Sequence, residues 1–348
     1  MKLLITGAAG FIGSNFVRHM LSTRRGARIV ACDALTYAGN LENLAGLEHD
    51  RWLKFVRGDI AAPADMEAVF KGGDFDAVVN FAAETHVDRS LSDVNPFIRT
   101  NIVGVQLLLD MCRRCRVGRF LQVSTDEVYG SLGAEGRFTE SSPIQPNNPY
   151  AATKAGADFL VRAAHESHKL DTVITRCSNN FGPYQFPEKL MPLMIANALD
   201  DKPLPVYGDG MHVRDWIYVA DHCTAIDAVL RKGAAGGIYN IGGGHDVPNI
   251  EIVRTILRLL KKPDSLIRHV ADRPGHDRRY AMDCRKIRRT LGWRPAGTFE
   301  AAMGRTIRWY LDNRGWLDRV RDGAYLRYYD RMYGKRLSAV GGRGHGKA

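Results

Sequence analysis

The sequence predicts an α/β protein: a doubly wound parallel sheet with helices on both faces, followed by a smaller C-terminal substrate-binding lobe. Three observations carry this. Short apolar runs without strict alternation recur through the first half, as strands buried on both faces require. Amphipathic helical patterns separate them, and a glycine-spaced turn joins the first run to the first helix. Such a sheet is Rossmann-like, and its ligand crevice lies beyond the carboxyl ends of the strands.

In chain order, the strand-like runs are KLLIT (2–6), RIVAC (28–32), LKFVRG (53–58), DAVVNFAA (76–83), RFLQVST (119–125) and DTVITRC (171–177). The helical patterns between them include GSNFVRHMLST, TNIVGVQLLLDMCRR and KAGADFLVRAAHESHK. After residue 180 the pattern becomes irregular. Pro183, Pro187, Pro192, Pro203 and Pro205 mark loops around a short helix, LMPLMIANAL. A helix, VADHCTAIDAVLRK, and a strand, GIYNIGG, follow. We therefore expect a cofactor-binding domain over 1–180 with a return at about 213–243, a substrate lobe over 181–212 and 244–335, and a basic, flexible tail over 336–348.

Composition narrows the function classes. The chain is 45% hydrophobic and 25% charged, as in globular proteins. No apolar run approaches the ~18 to 20 residues that span a bilayer, and MKLLITGAAGFIG breaks into glycines too early for a signal peptide, so a cytoplasmic protein is expected. The net charge of +11 includes four basic residues in the terminal KRLSAVGGRGHGKA, and the rest form no basic stripe, so nucleic acid is not an expected partner. Six scattered cysteines fit reduced thiols, and Cys112 and Cys115 form a CxxC without the second pair that zinc would need. His86, His212, His245 and His276 lie in separate segments without ligand spacing, and no metal is assigned.

Gly7, Gly10 and Gly13 in ITGAAGFIGSNFV follow a strand and open a helix, where glycine lets the backbone approach a pyrophosphate and the helix N-terminus offers free N–H groups. Asp33 ends the second strand, where an acid accepts hydrogen bonds from an adenosine ribose and repels a 2′-phosphate; NAD is the cofactor expected. Asp59 and Ile60 in GDI flank the adenine position, although a GDI alone is also an ordinary turn.

PYAATKAG sets Tyr150 and Lys154 four apart, on one face of a helix. A nearby ammonium favours the phenolate and lowers the tyrosine pKa, giving a base that takes a hydroxyl proton while hydride leaves the same carbon. At the end of the fifth run, STDEVYG places Asp126 beside Glu127. Taken alone the pair is a polar turn; beside a redox site it is a candidate acid and base.

The glycine motif, the YxxxK and the element order resemble the extended short-chain dehydrogenase/reductase family. AAETHVDRS, STDEVYG, NPYAATKAG, RCSNNFGPYQFPEKLMPLMI, PLPVYGDGMHVRDWIYVADH and DRPGHDRRYAMD resemble, within it, the dTDP-glucose 4,6-dehydratases, over residues 1 to about 335. The resemblance implies a lyase that forms dTDP-4-keto-6-deoxyglucose with recycled NAD for 6-deoxysugar synthesis such as that of rhamnose, and a homodimer built from helices near 99–115 and 150–168. In it Tyr150 takes the O4′ proton, Glu127 is the base at C5′, Asp126 the acid at C6′, and Thr125 a donor to O4′. The cofactor would also be lined by Phe11, Ile12, Leu35, Thr36, Phe81, Ala82, Ala83, Thr100, Lys154 and Asn180. Thr85, Asn179, Lys189, Leu190, Pro205, Tyr207, Arg214, Asn249, Arg273 and His276 would hold the nucleotide sugar. Phe181 stands where the family has a tyrosine, removing a hydroxyl near the nicotinamide. Dehydration of UDP-glucose or another nucleotide hexose, a 4-epimerase, and a silent NAD-binding sensor are the competing readings; adjacent Asp126 and Glu127 argue against the epimerase.

Overall fold

The computed structural model describes residues 1–24, 26–321, 323–334 and 336–337; most of the expected basic tail, 338–348, lies outside the described residues. Strand β1 (Lys2–Thr6) runs into the glycine turn and helix α1 (Phe11–Thr23). Then come β2 (Arg28–Asp33), β3 (Leu53–Arg57), α2 (Pro63–Lys71) and β4 (Ala77–Asn80). The fourth strand ends earlier than its apolar run, because Phe81, Ala82 and Ala83 leave the sheet to line a cleft.

Helices α3 (Val87–Ser92) and α4 (Asn95–Phe97) lead into a wide π-type turn over Ile98–Gly104 before α5 (Val105–Arg114). The sequence pattern reads there as one continuous α-helix. The widened turn lets Gly104 pass so close to Ile60 that an added Cβ would fall 2.7 Å from the isoleucine side chain. Strand β5 (Arg119–Thr125), helix α6 (Pro149–His168) and strand β6 (Thr172–Cys177) follow. Pro149 at the first position of α6 and Asn148 before it fix that helix start: the Asn148 side chain accepts from the Ala151 N–H at 2.8 Å.

The chain continues through β7 (Asn179–Phe181), α7 (Leu190–Leu199), β8 (Leu204–Tyr207), β9 (Val213–Tyr218), α8 (Val219–Lys232) and β10 (Ile238–Ile241). After these come β11 (Asp246–Pro248), α9 (Asn249–Leu260) and β12 (Ile267–Val270). Helices α10 (Arg285–Leu291), α11 (Phe299–Asp312), α12 (Arg314–Val320) and α13 (Gly323–Tyr329) end the described chain, with a π-type turn over Asp330–Gly334.

Seven strands pair in parallel in the order β10-β6-β5-β4-β1-β2-β3. One face packs on Phe16, Val17 and Met20 of α1 and on Cys223, Ile226 and Val229 of α8. The other packs on α2, α5 and α6 through Met66, Phe70, Leu108, Cys112 and Val161. Burial on both faces explains why the strands lack alternation. Cys112 is buried and Cys115 exposed, so the CxxC places its thiols in different environments.

A second core gathers α7, α9, α11 and α12 around Met194, Ile195, Ile256, Met303 and Trp316. It carries two small sheets, β11-β9-β7 and β12-β8. Register in the latter pairs Tyr207 with Val270, which brings the Asp272–Arg273 loop beside Tyr207. Among the described residues, no helix is long and apolar enough to cross a membrane.

Candidate active site

A cleft of about 790 Å³ follows the carboxyl ends of the parallel strands, between the sheet and the second core. Its wall begins at the glycine turn. Gly7 has φ +65°, and a Cβ there would sit 2.6 Å from the Ala82 nitrogen; a Cβ on Gly13 would meet the Gly7 carbonyl at 2.1 Å. Only glycine allows the turn and the close helix–strand contact together. Gly10, Phe11 and Ile12 line the same stretch.

Asp33, at the end of β2, lines the cleft too. Its carboxylate accepts from the Ala9 N–H at 2.9 Å and the Leu35 N–H at 2.8 Å, tying the glycine turn to the strand end, and burial raises its pKa. Leu35, with φ +56°, meets Asp33 through its backbone and lies outside the cleft lining. Thr36, Asp59, Ile60, Phe81, Ala82, Ala83, Thr100 and Asn180 all line it. Asp59 is paired with Arg99, a lining residue the sequence reading missed, at 2.6 Å.

Thr125, Asp126, Glu127, Tyr150 and Lys154 converge on the middle of the cleft. β5 ends in a single 3₁₀ turn, Asp126–Tyr129, which the Thr125 hydroxyl caps by accepting from the Glu127 N–H at 3.3 Å. The two carboxyls sit in different surroundings. Asp126 is 2% exposed, with one oxygen 3.3 Å from the Thr125 hydroxyl and the other, Oδ2, buried without a partner. Burial pushes its carboxyl well above the usual range, and the charges of Glu127 and Asp215 add to the effect. Glu127 is only half-buried and accepts from Asn148 Nδ2 at 3.1 Å. The two neighbouring carboxyls thus differ in environment: burial favours the neutral form of Asp126, while Glu127 is half-buried and accepts a hydrogen bond from Asn148.

The tyrosine differs from the expectation. Burial, then the charge of Glu127, pushes the Tyr150 phenol well above 10. Lys154 is 4% exposed and donates its Nζ to the Val123 carbonyl at 2.7 Å. Its own pKa is lowered by burial, with Asp158, one helical turn on, opposing. Asp158 is paired with the buried Arg176 at 2.8 Å, whose guanidinium lies over Tyr129.

Of the residues expected to hold a nucleotide sugar, Thr85, Asn179, Lys189 and Leu190 line the cleft, and Lys189 Nζ donates to the Thr85 carbonyl at 2.8 Å. Pro205, Tyr207, Arg214, Asn249, Arg273 and His276 stand outside that lining, in an adjoining group. Asp88 of the THVDRS motif, which the sequence reading passed over, organises it by accepting from Tyr207 at 3.1 Å and Arg273 at 3.1 Å. Arg214 is buried, donates to the Val213 and Asp277 carbonyls, and lies over Tyr280. Asn249 Oδ1 and Arg273 Nε are buried polar atoms without partners.

Three further placements differ from the sequence reading. Phe181 does not line the cleft; it is buried in the second core against Tyr218 and Phe299, so the missing hydroxyl falls there. His222, unremarked in the sequence, is buried and hydrogen bonds Asn180 Oδ1 at 2.8 Å. His212 and His276, assigned to separate loops, stack at 3.7 Å, with Asp272 Oδ1 2.6 Å from His276 and Oδ2 3.2 Å from His212. His212, Asp272 and His276 bring ligand-type atoms within 4.8 Å of one another, so the expectation that these histidines lack ligand spacing fails for this pair.

Tyr37, Arg89, Glu188 and Tyr328 form a cluster beside the cleft, which Glu188 lines. The Arg89 guanidinium is sandwiched 3.9 Å from the Tyr37 ring and 4.0 Å from the Tyr328 ring, and donates to Glu188 at 3.1 Å. It joins the loop after β2, the loop before Lys189 and α13. Nothing in a local motif announces it, because its members come from four distant segments.

Residues 4–306 match the model of the family described as GDP-mannose 4,6 dehydratase. A protein of Xanthomonas campestris pv. campestris named dTDP-glucose 4,6-dehydratase is 52% identical over 340 residues, 92% of this chain and 96% of that protein. The fold matches the crystal structure of DesIV, a dTDP-glucose 4,6-dehydratase from Streptomyces venezuelae with NAD and TYD bound: the TM-score is 0.89 at 50% identity, covering 92% of this chain and 100% of the other. The UDP-glucose 4-epimerase of Thermus thermophilus in complex with NAD matches with a TM-score of 0.84 at 28% identity, over 90% of this chain and 100% of the other.

Proposed function

The chain belongs to the GDP-mannose 4,6 dehydratase family of extended short-chain dehydrogenases/reductases, and from that premise we propose that it converts dTDP-glucose to dTDP-4-keto-6-deoxyglucose with recycled NAD. The observation that carries this reading is the Asp126–Glu127 pair, one carboxyl buried and the other half-buried with Asn148 donating to it, in the cleft that holds Tyr150 and Lys154. An epimerase needs the tyrosine and lysine alone; removing water from C5′ and C6′ needs an acid and a base as well.

The chain's residues fit NAD. The Gly7–Gly13 cradle, which a Cβ would fill, suits the pyrophosphate; Asp33 suits a ribose, Asp59 and Ile60 would hold the adenine, and Asn180, held by His222, would meet the nicotinamide. NAD when bound supplies the acceptor and later donor of hydride, and a positive ring that favours the Tyr150 phenolate.

Tyr150 then takes the O4′ proton as the C4′ hydride leaves, with Thr125 donating to O4′. The 4-keto group acidifies C5′, where Glu127 takes the proton. Asp126 protonates the C6′ hydroxyl, which departs as water. Glu127 returns its proton to C5′ when hydride arrives at C6′. Arg214, Arg273 and Lys189 hold the diphosphate, Arg by paired N–H groups and Lys as a point charge, with Asn249 and His276 beside them and Pro205 and Tyr207 against the base.

We also assign a homodimer, supported by exposed Ile98 and Val103 in the wide turn and Phe159 on α6, where a second copy would cover them. All six cysteines are unpaired, which suits a reducing cytoplasm, where a nucleotide sugar is made and a 6-deoxysugar route would consume the product. Purified protein incubated with dTDP-glucose and, separately, UDP-glucose, followed by the alkaline absorbance of a 4-keto sugar, tests the reading. Product from dTDP-glucose in clear preference supports it; product from neither overturns it.

A further inference from the structure

Three successive residues of α3 turn to three different parts of the molecule. Ser90 Oγ accepts from the Tyr150 N–H at 3.2 Å, which ties α3 to the helix that carries the tyrosine. The Arg89 guanidinium lies between the Tyr37 and Tyr328 rings. Asp88, 5% exposed and outside the cleft lining, reaches Tyr207 and Arg273.

These two partners share one small sheet. Tyr207 ends β8, which pairs in parallel with β12, and the Gly208 N–H donates to the Val270 carbonyl at 2.9 Å, so the chain that carries Arg273 leaves the sheet beside Tyr207. The Asp88 carboxylate divides between them: Oδ2 accepts from the Tyr207 hydroxyl at 3.1 Å, and Oδ1 accepts from Arg273 Nη1 at 3.1 Å. One carboxylate of α3 is thus held between β8 and the loop after β12.

The pairing decides which edge of the guanidinium stays free. A guanidinium offers two parallel N–H bonds on its Nε–Nη2 edge, the fork that meets two oxygens of a phosphate or diphosphate. With Nη1 taken by Asp88 that edge is left over, and its Nε is buried without a partner among the described residues. A lysine there would keep the charge and lose the fork. The other Asp88 oxygen fixes the hydroxyl end of Tyr207, whose ring stands in the proposed wall against the base.

Resting on the dehydratase reading, we propose that Asp88 is the positioning residue of the nucleotide grip. It turns the Arg273 fork to the diphosphate, holds Tyr207 for the base and, through α3 and Ser90, sets both at a fixed reach from Tyr150. It acts on how tightly the nucleoside diphosphate is held; the groups that move protons and hydride are elsewhere.

Binding of dTDP and of phosphate-free thymidine to the NAD-loaded protein, measured beside steady-state kinetics with dTDP-glucose, tests this. Asp88→Asn keeps an acceptor for Tyr207 and loses the charge that holds the guanidinium. In it dTDP should bind about tenfold or more weaker and thymidine within about threefold of wild type, with KM for dTDP-glucose rising in step with the dTDP loss and kcat within about threefold. Equal weakening of dTDP and thymidine, which a loosened fold would give, overturns the assignment, as does unchanged dTDP binding. Arg273→Lys keeps the ion pair without the fork and should narrow the gap between the two ligands by about tenfold as well; an unchanged gap there overturns the assignment even where the Asn variant fails to fold. Wild-type protein that binds dTDP but forms no keto sugar is a different failure, and falls on the reaction itself.

Discussion

Asn148 joins Glu127 to the start of α6: its Nδ2 donates to Glu127 at 3.1 Å while its Oδ1 accepts from the Ala151 N–H at 2.8 Å, capping the helix that carries Tyr150 and Lys154. One side chain therefore holds both Glu127, the proposed acceptor at C5′, and the start of α6. Asn148→Asp keeps the cap but brings a carboxylate against Glu127. Thermal unfolding should stay close to wild type while kcat falls about 10-fold or more. Asn148→Ala should lose both, with a stability cost of about 1 kcal/mol. Equal kcat in the Asp variant would separate Glu127 from Asn148.

Glu127→Gln removes the proposed base and leaves Tyr150 and Lys154 in place. Hydride loss from C4′ should persist, seen as near-ultraviolet absorbance of the reduced cofactor, while solvent deuterium no longer enters C5′. A variant that still exchanges the C5′ proton would move the base elsewhere.

Arg176 and Asp158 form a buried pair at 2.8 Å beneath Tyr129 and Lys154. Asp158→Asn strands the guanidinium and should destabilise the fold by about 3 to 5 kcal/mol in denaturant unfolding. A loss under about 1 kcal/mol would show that water reaches the site.

The Asp215 carboxyl is raised from 3.8 to about 6 by burial and Asp246. The folded state then binds more protons than the unfolded one between those values, so this group lowers stability as pH rises from about 4 through about 6. Its share is about 3 kcal/mol as an upper figure. Asp215→Asn should flatten the stability curve across that window, and an unchanged slope would place the titration on other buried acids.

The parts legible in the sequence are those written in local spacing. Gly7, Gly10 and Gly13 specify a turn within a few residues, the Tyr150–Lys154 separation specifies a helix face, and STDEVYG ends a strand. The raised pKa of Asp126 is only partly local: Glu127 beside it contributes, but burial and Asp215 act only once the fold is formed. The same holds for Tyr150, whose phenol is raised by burial although its lysine neighbour in sequence suggests the reverse. Lys154 turns to Val123 because β5 passes beneath α6. His212 and His276 meet through Asp272 only once β12 pairs with β8. Asp88 and the Arg89 sandwich were invisible for the same reason.

The central claim is that hydride moves within one sugar while Glu127 and Asp126 remove water. Protein incubated in deuterium-free water with dTDP-glucose carrying deuterium at C4′ tests it most directly, by nuclear magnetic resonance of the product. The account predicts a 4-keto sugar with that deuterium in its C6′ methyl group. Deuterium retained at C4′ of a sugar that keeps its C6′ hydroxyl would contradict it.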